Sequence, residues 1–211
     1  MKVEYLGHLG SDEEVCDAAR VSFNKVAENY TDNENERLIK YLAEHNHWSP
    51  FSHCYLKFRI KAPIFVARQL QKHTVGLAWN EISRRYVSSS PEFYYPDEWR
   101  GKPTNGAKQG SDGVVTISDD TDYAVYKAEQ TSYQAYHELL EAGVAPEQAR
   151  MVLPQSMITE WIWSGSLYAF CRVCNLRLDS HSQRETSEVA RMISEYIREY
   201  FPNSYTYLVK S

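Results

Sequence analysis

The residues best equipped for chemistry gather in one stretch, Arg68 to Tyr86, which reads RQLQKHTVGLAWNEISRRY. Arg68, Lys72, His73, Arg84 and Arg85 stand there against a single acid, Glu81. A solvated helix face would interleave lysine with glutamate, and a core segment would be mainly apolar. A cation-rich run carrying hydroxyls and amides is instead suited to holding an anion. Ser83, Arg84 and Arg85 in a row offer guanidinium forks, a hydroxyl and backbone amides, a donor set that fits a phosphate dianion. The same composition also fits a basic helix and loop that face solvent or a partner subunit.

Other clusters carry less. His45, His47 and His53 are spaced by two and six residues, which suits no helical ligand pair, and no acids stand beside them, so the stretch reads as a loop and not a metal site. Cys171 and Cys174 lie within the apolar helical run Leu167 to Leu176. A structural zinc would need two further ligands from elsewhere, and a redox pair would open a helix after a strand, so all four cysteines read as buried free thiols with no metal. Arg150 is alone among apolar neighbours in PEQARMVLP, a setting in which arginine normally pairs with a carboxylate.

The elements that position these groups follow from periodicity. Ala62-Pro63 opens a helix with Ile64, Phe65, Val66 and Leu70 on its apolar side and Arg68, Gln69, Lys72 and His73 sharing a polar face; Gly76 serves as its C-terminal cap. Cys54 to Ile60 alternates as a half-buried antiparallel strand leading into it, and residues 3 to 7 read as a short edge strand. Ser11 or Asp12 caps a first helix through DEEVCDAARVSF, and a second runs from about Asn33 to His45. Gly101 to Gly113 reads as a mobile surface loop. A long helix, capped by Asp119, Asp120 or Thr121, reaches Ala142 before Gly143, its tyrosine stripe serving packing; another runs from Pro146 to Pro154. Thr159 to Ser164 reads as a strand, Ser166 caps the following helix, and a Ser182–Glu185 capping box starts the last, which ends near Phe201. The result is an α+β fold, an antiparallel sheet with packed helices, in a single domain over residues 1–211.

Composition sets the outer bounds. The 211 residues carry a net charge of −5, with a pI near 5.8, which argues against a general nucleic-acid surface while leaving room for one basic pocket. No apolar run is long enough for a membrane span and the N-terminus does not read as a signal peptide, so the expected location is cytoplasmic.

Three separated segments, in order, resemble one family. APIFVARQ and NEISRRY flank the signature region, ARMVLP matches Ala-Arg-x-x-Leu-Pro, and NLRLDSH matches Asn-Leu-Arg-x-Asp-Ser-His; together they resemble the flavin-dependent thymidylate synthases. Lys72-His73-Thr74 stands where that family has Arg-His-Arg, the spacer to Ser83 is longer, and Arg172 replaces an asparagine. The resemblance implies that fold, reductive methylation of dUMP to dTMP, FAD as cofactor, NADPH and methylenetetrahydrofolate as co-substrates, and a homotetramer with shared active sites. It assigns Gln69, Lys72, Glu81, Ser83, Arg84, Arg85, Arg150 and Arg177 to dUMP, with Arg177 as the activating group. It assigns His47, Ser49, Lys72, His73, Thr74, Glu81, Ser166, Tyr168, Arg172 and His181 to the flavin. An enzyme making another C5-modified pyrimidine nucleotide, or a noncatalytic nucleotide- or flavin-binding homologue, is the alternative.

Overall fold

Alternation builds the sheet. In the computed structural model, which describes residues 1–87, 89–104 and 110–210, strand β1 (Lys2–Leu9), β2 (Tyr55–Pro63), β3 (Leu77–Glu81) and β6 (Ile158–Ser166) form one antiparallel sheet in the order β1-β2-β6-β3. Leu56, Phe58 and Ile60 point inward opposite Gly165, Trp163 and Trp161, while Lys57, Arg59 and Lys61 point outward, as a strand with one covered face requires. A small second sheet pairs β4 (Arg100–Gly101) with β5 (Asp112–Val114). Part of the expected loop from Gly101 to Gly113 is therefore a hairpin, and its residues 105–109 lie outside the described ones.

Helices pack on the sheet and on one another. They are α1 (Asp12–Arg20), α2 (Asp32–Glu44), α3 (Ile64–Leu70), α4 (Asp119–Glu141), α5 (Pro146–Ala149), α6 (Leu167–Arg177), α7 (Arg184–Tyr200) and α8 (Pro202–Leu208). Phe170 meets Phe58 and Trp163 edge-on at 5.1 and 5.2 Å, which seats α6 on β2 and β6. Tyr5 stacks on Tyr196 and Tyr200 of α7. Asn175 holds the chain end, donating to the Leu208 carbonyl at 2.8 Å and accepting from the Lys210 amide at 2.7 Å.

Local signals mostly landed. Ser11 caps α1, a Thr31–Glu34 capping box starts α2, and Ser166 caps α6 through the Ala169 amide at 3.2 Å. The cap of α4 is Ser118, one residue before the expected candidates. Its tyrosines divide, Tyr136 being buried while Tyr123 and Tyr126 are exposed. The Pro146 helix stays α-helical only to Ala149 and tightens to a 3₁₀ turn over Arg150–Val152.

Three expectations are corrected. The helix after Pro63 stops at Leu70, so Lys72 and His73 lie beyond it, and Gly76 is no helix cap. Gly76 has φ +76° in the turn that reverses the chain into β3, a strand the sequence reading lacked. A Cβ on Gly165 would fall 2.3 Å from the Gly76 carbonyl oxygen, so this close crossing depends on glycine. Ser182 and Glu185 form no capping box: Ser182 Oγ donates to the Leu176 carbonyl at 2.9 Å, Glu185 pairs with Arg100, and Gln183 takes the cap position without a capping bond. After Tyr200 the chain continues into α8, because Pro202 restarts a helix at the position where a missing N–H costs nothing.

Candidate active site

The turn after α3 and the end of α6 meet. Arg177, the last residue of α6, donates from Nε to His73 Nε2 at 2.9 Å and from Nη2 to the Gln69 backbone carbonyl at 3.1 Å. Ser187 Oγ of α7 holds the Arg177 carbonyl at 2.6 Å. The structure thus joins Gln69, His73 and Arg177, which are about a hundred positions apart in sequence, into one half-buried polar cluster. Since His73 Nε2 accepts from a guanidinium, its proton resides on Nδ1. Burial first, then the charges of Arg177 and Arg172, push the His73 imidazole down to about 4. Burial also lowers Arg177, which stays a cation.

This geometry has a stability consequence. The unfolded imidazole titrates near 6.5 and the folded one near 4, so His73 favours folding above pH 6.5 and that contribution disappears as pH falls towards 4. Across this window urea unfolding should show the parent losing stability relative to His73→Asn as pH falls from 6.5 to 4. Parallel curves would contradict the neutral, buried assignment.

A cleft of about 470 Å³ is lined by three of the predicted residues, His47, Tyr168 and Arg172, together with Trp48, Phe51, Asn175 and Lys210. Trp48 is 56% exposed and its ring centre lies 6.3 Å from that of Tyr168. Flat aromatic surface beside Arg172 and Lys210 fits a planar, phosphate-bearing group such as a flavin nucleotide. Ser49 is exposed in the same loop, whereas Ser166 is buried with its hydroxyl committed to the α6 cap. Lys72 and Thr74 are exposed beside the turn. His181 donates its backbone amide to Asp179 Oδ1 at 2.8 Å and its Nδ1 lies 3.0 Å from the same oxygen.

The Ser83–Arg85 row makes no hydrogen bond to either group among the described residues. β3 carries Glu81 at the far end of the strand from the Gly76 turn, four residue steps or roughly 13 Å from Leu77. Glu81 accepts from Thr159 Oγ1 at 2.7 Å and from Trp79 Nε1 at 3.1 Å, which fixes both carboxylate oxygens. Ser83 Oγ accepts from Arg85 Nε at 3.1 Å, Arg84 donates to the Ser89 carbonyl, and the Arg85 guanidinium lies 5.0 Å from the Tyr86 ring centre. Arg150 is exposed, its side chain donates to the Glu147 carbonyl at 3.4 Å, and among the described residues it makes no ion pair with the expected carboxylate.

Some polar groups near the site escaped sequence reasoning. Gln183 bonds the side chain of Gln69, and Arg100 reaches Glu185 at 2.5 Å. These contacts span 114 and 85 residues, so no local spacing announces them. Trp48 could have been found, since an indole in the polar HNHWSP loop has no apolar periodicity to bury it. A larger cavity of about 640 Å³ lies behind the network, walled by Phe65, Tyr94, Trp99, Arg100, Glu129 and Glu185, and contains none of the predicted residues.

The four thiols are free and buried. Burial pushes Cys54 and Cys174 up to about 12 and Cys16 to about 11, and raises Cys171 well above the ordinary range. None is poised as a thiolate nucleophile. Native protein treated with a maleimide should remain unlabelled and fully active, with all four thiols reacting only in denaturant. Stoichiometric labelling of a native thiol with loss of activity would contradict this. Among the described residues no three His, Cys, Asp or Glu side chains gather as a metal cage, and no helix is long and apolar enough to cross a membrane.

The chain is similar to known proteins over most of its length. The family model described as "Thymidylate synthase complementing protein" matches residues 4–203. A flavin-dependent thymidylate synthase of Thermus thermophilus is 40% identical over 200 residues, covering 95% of this chain and 72% of the relative. One from Kosmotoga olearia is 41% identical over 202 residues, covering 93% and 85%. Among solved structures, a UMP/dUMP methylase, PolB from Streptomyces cacaoi bound with 5-Br dUMP, superposes with a TM-score of 0.86 at 30% identity, covering 100% of this chain and 97% of that one.

Proposed function

The chain belongs to the flavin-dependent thymidylate synthase family, and from that membership we propose that it converts dUMP to dTMP with FAD as cofactor, methylenetetrahydrofolate as carbon donor and NADPH as reductant. The observation that carries the reading is the Arg177–His73–Gln69 cluster, which brings the NLRLDSH segment against the signature turn. When bound, the flavin supplies hydride chemistry. The protein's own part is binding, orientation and electrostatics. Ser83, Arg84, Arg85 and Arg150 hold the phosphate, with Gln69 and Lys72 beside them. Glu81, oriented by Thr159 and Trp79, fixes the ribose or base. The planar fork of Arg177 faces the uracil edge, where it stabilises the N3-deprotonated, enolate-like form and makes C5 more nucleophilic. His47, Ser49, His73, Thr74, Ser166, Tyr168, Arg172 and His181 flank the flavin.

Among the described residues no hydrogen bond joins the Ser83–Arg85 row to the Arg177 cluster within one chain. This arrangement supports a homotetramer in which one subunit's Ser83–Arg85 row completes the site of another. A single domain over residues 1–211 acting in the cytoplasm completes the proposal. The likeness to a UMP/dUMP methylase favours one second reading, in which UMP is also methylated; dUMP and UMP competing in one reaction would rank them. The test of the proposal is spectroscopic: FAD reduced on the protein should reoxidise without oxygen only when dUMP and methylenetetrahydrofolate are both present. Reoxidation indifferent to dUMP would count against it.

A further inference from the structure

We propose that Gln183 and Glu185 are positioning residues that fix which edge of the Gln69 amide faces the nucleotide, an inference that rests on the assignment of Gln69 to dUMP. Glu185 is 4% exposed, and its carboxylate takes Arg100 Nη2 at 2.5 Å and Gln183 Nε2 at 2.9 Å. Burial alone would raise this carboxyl, but the bonds from Arg100 and Gln183 outweigh it and hold it below its ordinary range.

A carboxylate only accepts hydrogen bonds, so Gln183 must turn its nitrogen towards Glu185. Its oxygen then faces Gln69, which is the contact the structure shows, Gln69 Nε2 donating to Gln183 Oε1. Gln69 Oε1 is thereby turned to Thr186, a fully buried residue, whose hydroxyl donates to it at 3.3 Å. The two ends of an amide have nearly the same shape, so its orientation is normally an open choice. Here the choice is passed from Arg100 through Glu185 and Gln183 to Gln69. What Gln69 keeps for a ligand is its second N–H, a donor that complements the oxygens of a phosphate or a uracil carbonyl. The backbone carbonyl of the same residue receives Arg177, so the relay ends beside the activating guanidinium without touching it.

The test is a double-mutant cycle on the FAD-loaded enzyme, with dUMP binding measured by calorimetry. Gln183→Met removes both polar ends at similar volume. It should weaken dUMP roughly three- to tenfold, the worth of one neutral hydrogen bond, while FAD affinity and turnover at saturating dUMP stay as in the parent. Glu185→Gln, which can present either edge, should weaken dUMP similarly if the variant folds. Gln69→Met should also weaken dUMP, and adding Gln183→Met to it should change nothing more, because Gln183 acts only through Gln69. Independent, multiplying effects would overturn the relay, as would undiminished binding in Gln183→Met. If Gln69→Met itself bound dUMP normally, the nucleotide role of Gln69 and the relay would both fall, while dTMP formation would still report separately on the proposed activity.

Discussion

Arg177→Ala is expected to cut turnover at saturating dUMP by about a hundred- to a thousandfold, the range for removing one donor aimed at charge that develops in the transition state. The Arg177 guanidinium is held by His73 and the Gln69 carbonyl while Ser187 holds its backbone carbonyl, so the fork is oriented before any ligand arrives. An interaction that strengthens as the uracil acquires enolate character appears in kcat, whereas one present equally in the ground state would appear only in KM. Arg177→Lys should recover little, since an ammonium cannot reproduce a planar fork that engages two acceptors at once. FAD binding and flavin reduction by NADPH without dUMP should persist in both variants, which shows that the site is intact. If Arg177→Ala raised only the dUMP concentration needed and left the saturated rate unchanged, the residue would be an anchor and not an activating group.

Arg100→Ala is expected to lower folding stability by about 3–5 kcal/mol, the usual cost of leaving one member of a buried ion pair uncompensated. The side chains of Arg100 and Glu185 are 18% and 5% exposed, so the pair is largely withdrawn from bulk water. The pH dependence gives a sign. In the parent the Glu185 carboxyl lies below its ordinary range, so its contribution to folding is present above the unfolded value and lost as pH falls through the folded one. Without Arg100 the buried carboxyl titrates higher than in the unfolded chain, and the variant's deficit should shrink as acid neutralises it. Urea unfolding at neutral pH and near pH 4 measures both effects. A loss below about 1 kcal/mol would place this pair among exposed ones of little worth.

Three strands of the main sheet and most helices were legible because their signals are local, whereas β3 was not. Alternation over Cys54 to Ile60 and 3.6-residue periodicity report burial directly, and Ser11 and Ser166 announce helix starts within four residues. The failures share a cause of the opposite kind. Helix α3 stops short because His73 is drawn to Arg177, a partner 104 residues away, and because Gly76 spends its left-handed backbone on the turn into β3. Ser182 and Glu185 have the spacing of a capping box, yet Glu185 gains more from Arg100 than from a helix end. The family motifs named the candidate residues and not their grouping. That Gln69, His73 and Arg177 meet is decided by contacts more than a hundred residues apart in sequence.

The central claim is that this chain transfers a one-carbon unit to C5 of dUMP and reduces it to a methyl group. The most direct measurement is the mass of the nucleotide formed when purified protein is given FAD, dUMP, methylenetetrahydrofolate and NADPH under anaerobic conditions. The account predicts dTMP, heavier than dUMP by one methylene unit, and no product when any one of the substrates is withheld. A hydroxymethylated nucleotide, or recovery of unchanged dUMP from protein that has bound both FAD and dUMP, would contradict it.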